Sequence, residues 1–196
     1  MVSVKNYVNN EIEKTEKTIM ENENDIVIDG KITYKTIGKV LLDIHMAELD
    51  FAQDPKKNTI NVFINCNDCD FVSAISIYSV LEASNLKVNT FIYDKALGMS
   101  LLIFLVGDNR YMTKDSYIKI RDPHILKCYE KYDDYFKLTE DNNEELLLDV
   151  EILTNILRYK TFLGDEKIDK YLFSNKITNN TAMKDMIATG IFRWIK

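Results

Sequence analysis

Thr59-Ile60-Asn61-Val62-Phe63-Ile64 is followed by Asn65-Cys66-Asn67-Asp68-Cys69-Asp70, and then by the segment Phe71 to Leu81. The first string is a β-branched and aromatic run bounded by turn residues, which reads as a strand. The second is polar and reads as a loop, and the third has the apolar spacing of a helix. Outward from it, Val88-Asn89-Thr90-Phe91-Ile92 is a second strand, and Ala96 to Gly107 reads as a turn into a buried helix centred on Leu101-Leu102-Ile103-Phe104-Leu105-Val106. Strands alternating with helices imply right-handed crossovers and a parallel sheet.

The flanks fit the same scheme. Asp25 to Gly30 is a short strand ending at a glycine turn. Thr33 to Phe51 carries Ile37, Val40, Leu41, Ile44, Ala47 and Phe51 at helical spacing, and Asp54-Pro55 breaks it. Arg110-Tyr111-Met112 and Tyr117 to Ile120 are further strand candidates. Residues 124–143 are charged and irregular. Glu144 to Phe162 is a long helix with Leu146, Leu147, Val150, Leu153, Ile156 and Leu157 on one stripe, ended by Gly164. Ala182 to Ala188 reads as a short helix and Ile191 to Ile195 as a closing strand. The N-terminal residues 3–20 are polar with sparse apolar positions.

Composition bounds the function. The 196 residues suit one domain with a sizeable core, and 46% hydrophobic with 29% charged residues is ordinary for a globular protein. A net charge of −6 and a pI near 5.1 argue against a nucleic-acid surface. No apolar run approaches the roughly 18 residues that would suggest a membrane span. The N-terminus lacks the apolar stretch of a secretory signal. Three cysteines do not suggest an extracellular disulfide framework.

The run INCNDCDFVSAISIY resembles the proteolytic subunit of the Clp protease, the ClpP family, in which a strand ends in I-N-S-P-G-G and the next helix carries A-x-A-I-Y. The resemblance covers about residues 25–123 and continues more loosely through 144–195, where GDEKIDKYL and TGIFRWI are similar to the family's closing segments. It implies an α/β, ClpP/crotonase-like spiral of ββα units with a projecting helical handle. The expected organisation is a single domain: an N-terminal segment 1–24, a head 25–123, a handle about 124–163 and a closing head segment 164–196.

The resemblance also places a serine-protease triad, and each position has changed. The family's nucleophile lies in A-A-S-M-G, opposite Ala96-Leu97-Gly98-Met99-Ser100, so Gly98 stands in place of serine. Its general base lies in M-I-H-Q-P, opposite Lys119-Ile120-Arg121-Asp122-Pro123, so Arg121 stands in place of histidine; a guanidinium does not accept a proton near neutral pH. The acid position falls at Tyr171, with Asp169 nearby. The glycines of the oxyanion loop become Asp68 and Cys69, which sets a negative charge beside a developing one. The chain is thus similar to the inactive, ClpR-type paralogues of the family. The resemblance implies a structural or regulatory subunit of a Clp-type assembly: a homo-oligomer, expected to be heptameric, with active ClpP subunits and a Clp AAA+ chaperone as candidate partners. It implies no cofactor.

Candidate contact residues under that reading are Phe63, aligned with an aromatic of the family's ATPase-docking cleft, Leu153 on the handle helix, and Asp169-Lys170, aligned with an acid–Arg pair between rings. The abundance of Lys, Asn and Ile suits an AT-rich genome. That suggests a plastid or the apicoplast of a malaria parasite, after removal of a transit peptide, or alternatively the cytoplasm of a low-GC bacterium or phage host.

Two other readings stay open. One is an active hydrolase rebuilt around Ser100, with His45 and His124 as the available histidines; there, Ser100 as a packing residue is the plainer account. The other is a redox or zinc module using Cys66-Asn67-Asp68-Cys69, with His124 and Cys128 as further ligands. Its plainer alternative is three reduced cysteines, some of them buried as small apolar groups.

Overall fold

The computed structural model describes residues 25–120, 143–161, 163–173 and 177–191. The elements are β1 (Asp25–Lys31), α1 (Tyr34–Gln53), β2 (Thr59–Asp68), α2 (Phe71–Ala83), β3 (Lys87–Leu97), α3 (Ser100–Leu105), β4 (Asn109–Met112), β5 (Tyr117–Lys119), α4 (Asn143–Lys160), α5 (Asp165–Phe173), β6 (Ile177–Thr178), α6 (Asn179–Lys184) and β7 (Gly190–Ile191). The sheet runs β1-β2-β3-β4-β7, with every neighbouring pair parallel. The far end of β3 pairs with β5, and β5 pairs antiparallel with β6. The expected α/β architecture with a parallel sheet is therefore present.

β2 is buried along most of its length, as its near-continuous apolar run requires of a central parallel strand. One face of the sheet meets the main core, which includes Ile60, Val62 and Ile64 of β2, Val40 and Ile44 of α1, and Leu101 to Leu105 of α3. On a separate cluster, Phe63 stacks on Phe91 at 4.8 Å between ring centroids, and Phe91 stacks on Tyr111 at 5.0 Å. The register Phe63↔Phe91↔Tyr111 lines these rings up across three strands, with Val27 of β1 next in the row.

The rung two residues earlier is polar. Asn61 Nδ2 donates to Asp25 at 2.9 Å, Asn89 Nδ2 to Asn61 at 3.1 Å, and Asn109 Nδ2 to Asn89 at 2.9 Å. A one-residue slip would break all three bonds and move the aromatic rung to the other face, so the ladder pins the register. Burial of the Asp25 carboxyl, only partly offset by the Asn61 bond, pushes its pKa up to about 6. The folded chain thus holds this proton more tightly than the unfolded one, so stability from this group is full below about pH 4 and is lost as pH rises through 6. Asp25→Asn keeps an acceptor for Asn61 and removes the charge. Its melting temperature is expected to exceed that of the wild type above pH 6, with the difference vanishing near pH 4 in thermal melts across that range.

Helix starts follow their caps. The Thr33 hydroxyl accepts from the Thr36 amide at 3.3 Å, and the Thr36 hydroxyl accepts from the Thr33 amide at 3.2 Å, a capping box built from two threonines. Asp70 accepts from the Ser73 amide at 2.7 Å and from its hydroxyl at 3.0 Å, which opens α2.

Several boundaries differ from the sequence reading. β2 continues through Cys66 to Asp68, because Cys66 pairs with both Gly30 and Ala96, and Asp68 pairs with Lys31. β3 runs on through Ala96 and Leu97, which pair with Ile118 and Lys119, so the buried helix is confined to 100–105. The helix expected at 182–188 spans 179–184, and α5 and β6 were not anticipated. The closing strand begins at Gly190, and residues 192–196 lie outside the described residues, as do the N-terminal segment and the charged stretch before α4.

Arg110 is the main long-range tie among the closing segments. Its buried guanidinium donates to the carbonyls of Ile187 (2.7 Å), Met186 (2.9 Å), Gly107 (3.1 Å) and Lys160 (3.1 Å). It thereby joins β4 to the end of α4 and to the turn at Met186, whose φ is +58°.

Candidate active site

The position matched to the nucleophile lies in the turn between β3 and α3. Gly98 has φ +69°, a left-handed conformation that side chains adopt only with strain. Its amide donates to the Lys119 carbonyl at 3.0 Å. A Cβ at this position would lie 2.4 Å from the Cys69 carbonyl oxygen and 2.9 Å from the Cys69 nitrogen. These are backbone atoms, so no rotamer change relieves the clash. The next amide, that of Met99, donates to the same Cys69 oxygen at 2.8 Å. The loop thus sits directly on position 98 and occupies the N–H beside it. An acyl-transfer site needs such an N–H directed at a developing oxyanion.

The loop is held at several points. The Asp68 carbonyl accepts from the Ile32 amide at 3.0 Å, and its carboxylate meets Lys31 Nζ at 2.7 Å on the surface. This bond and the accompanying charge attraction raise the Lys31 pKa. Asp70 is committed to capping α2. Cys66 and Cys69 are both buried and neither is in a disulfide. Cys66 Sγ donates to the Asp68 carbonyl at 3.2 Å and Cys69 Sγ to the Asp70 carbonyl at 3.4 Å. The neighbouring Cys69 holds the Cys66 thiol below its usual value, while Cys66 and burial push the Cys69 thiol up.

Ser100 is fully buried at the start of α3. Its hydroxyl donates to the Leu97 carbonyl at 2.9 Å, and it borders the Cys66 thiol. This is the arrangement of a packing residue. His45 is exposed on α1. His124, Cys128 and Arg121 lie outside the described residues. Among the described residues no group of three or more His, Cys, Asp or Glu side chains is placed to hold a metal, and no helix is long and apolar enough to cross a membrane.

Tyr171, where the acid was expected from the sequence, is buried on α5 and its hydroxyl donates to Asp185. Lys167 Nζ meets the other Asp185 oxygen at 2.7 Å. Burial alone would raise the Asp185 pKa, but the bonds from Lys167 and Tyr171 outweigh it and hold the carboxyl below its usual value. Burial and the carboxylate together raise the Tyr171 pKa. Tyrosine here holds a carboxylate rather than replacing one. Sequence reasoning missed Asp185, which follows α6, fourteen residues further along the chain. The Asp169 side chain lies outside the described residues, and Lys170 is exposed. Tyr171→Phe should lower stability by about 1–3 kcal/mol, because Asp185 loses one partner while staying buried. Urea unfolding of the two proteins measures it.

Two expected contact residues need correction. Phe63 is enclosed within the chain itself, in the ring stack with Phe91 and against Tyr93 and Tyr111. Leu153 is 0% exposed and belongs to the main core. Neither presents a surface to a second molecule.

A family model described as Clp protease matches residues 9–190. Among solved structures, ClpP1 from Listeria monocytogenes is similar in fold, with a TM-score of 0.70 at 17% sequence identity, over 93% of this chain and 97% of that one. No curated protein matches the chain in sequence.

Proposed function

We propose, given that this chain belongs to the Clp protease family, that it is a non-catalytic, ClpR-type subunit of a Clp-type proteolytic assembly. The observation that carries this reading is the closed turn at Gly98. The residue has no hydroxyl, a side chain there would run into the Cys69 backbone, and the Met99 amide is already bonded to Cys69. Arg121, at the position of the base, carries a group that does not take up a proton near neutral pH. Nucleophile, base and oxyanion donor are thus all compromised, and a triad works only as a unit.

Exposed apolar side chains on two helices support an assembly role. Leu42, Met46 and Leu49 are 59%, 53% and 43% exposed and fall at i, i+4 and i+7 on α1; Val72 and Val80 are exposed on α2. Such stripes are commonly covered by a partner. In this reading they replace Leu153 as the contacts between subunits, in a homo-oligomeric ring or one mixed with active subunits.

Fluorophosphonate labelling followed by peptide mapping tests the catalytic half of the reading. No modified serine is expected in the native protein. Stoichiometric labelling of Ser100, or of any other serine, would overturn it.

A further inference from the structure

The turn that ends α6 holds one residue in an unfavourable conformation and is gripped from two sides. The Ile187 amide donates to the Ala182 carbonyl at 2.9 Å, and the Met186 amide to the Met183 carbonyl at 3.4 Å. This is the bonding of a helix C-terminus whose next residue is left-handed, a position usually filled by glycine. Here it is Met186, at φ +58°. A side chain persists there only where the surroundings over-determine the backbone. On one side, the Asp185 carboxylate is 5% exposed and is held from α5, by Lys167 Nζ at 2.7 Å and by the Tyr171 hydroxyl. On the other, the Arg110 guanidinium of β4 donates to the carbonyls of Met186 at 2.9 Å and Ile187 at 2.7 Å. The Thr189 amide strengthens that side by donating to the Arg110 carbonyl at 2.7 Å.

We propose that this turn is a strained latch, and that α5, β6, α6 and β7 open from the sheet as one unit when it lets go, without unfolding the rest of the chain. β6 and β7 have two residues each, so few ladder bonds hold the closing elements in place. The side-chain ties that meet at 185–187 therefore carry much of the docking. Ile168 and Leu172 of α5, Ile177 of β6, Ala182 of α6 and Ile187 all lie in the main core, which makes their release cooperative. Opening uncovers the edges of β4 and β5, which pair with β7 and β6. β5 also carries the Lys119 carbonyl that holds the Gly98 amide, so the latch bears on the closed turn. The inference goes beyond the function proposed above and does not depend on it.

Native-state hydrogen exchange of the full chain at neutral pH, mapped by mass spectrometry, tests it. Amides of α5, α6 and β7 are expected to share one protection factor, at least about 10-fold below that of β2 and β3. Asp185→Asn removes the ion pair with Lys167 and should lower protection in all three elements by the same factor, about 10-fold. Met186→Gly relieves the left-handed residue and should raise it in all three, by about 3-fold. Because Met186→Gly removes strain, it keeps the test open even if Asp185→Asn fails to fold. Three results would overturn the proposal. One is protection of the closing elements equal to that of β2 and β3. Another is an Asp185→Asn effect confined to one element. The third is a Met186→Gly protein that exchanges as fast as the wild type, or faster.

Discussion

Gly98→Ser is expected to give a protein that is less stable than the wild type and still unreactive. Two effects add. A residue with a Cβ held at φ +69° costs about 1–2 kcal/mol. Forcing that Cβ against backbone atoms at 2.4 and 2.9 Å adds about 1–3 kcal/mol of overpacking. The total, about 2–5 kcal/mol, should appear as a clear drop in the denaturation midpoint. Gly98→Ala should show the same drop, because the cost lies in the Cβ and not in the hydroxyl. Fluorophosphonate should not label the serine, since Arg121 cannot take its proton. A stable, labelled Gly98→Ser protein would show that the loop is free to move off the site, and the account of a closed turn would fall.

Leu153→Glu should unfold the chain. Leu153 is fully enclosed by the core, and a carboxylate placed there has no partner, a cost expected to exceed about 4 kcal/mol. Leu42→Glu is the contrasting substitution. Its side chain is 59% exposed, so the fold should survive while any assembly through α1 weakens. Circular dichroism separates the two, with native helicity lost for Leu153→Glu and kept for Leu42→Glu. A folded Leu153→Glu protein of reduced particle mass would restore Leu153 as a subunit contact.

The case of Leu153 shows where sequence reading reaches its limit. The stripe Leu146, Val150, Leu153, Leu157 says that one face of the helix must leave water, and this is correct: Leu153 and Leu157 are buried. Periodicity does not say what covers the face, and here the main core of the same chain covers both residues. The strand Thr59 to Ile64 and the helix Phe71 to Leu81 were legible for the same local reason. A continuous apolar strand and a helical repeat carry their own signals.

What stayed hidden depends on distant partners. The polar string Cys66-Asn67-Asp68 reads as a loop until Gly30, Lys31 and Ala96 supply its pairing. Arg110 looks like any charged residue beside a turn, yet it bonds carbonyls up to 77 residues away. The Asp185 that Tyr171 holds sits in a different segment, after α6. The seat of Cys69 on Gly98 joins two strand ends that no motif relates by spacing. Gly98 and Arg121 were visible as residue types. The contact of the Cys69 backbone with Gly98 was not.

The central claim is that this chain keeps a Clp-type assembly role without the chemistry. Native mass spectrometry of the full chain, alone and mixed with an active Clp protease subunit from the same organism, tests it most directly. The account predicts a ring whose mass is a multiple of the 22.8 kDa protomer, or a mixed ring containing both subunits. A monomer under both conditions at micromolar concentration would contradict it.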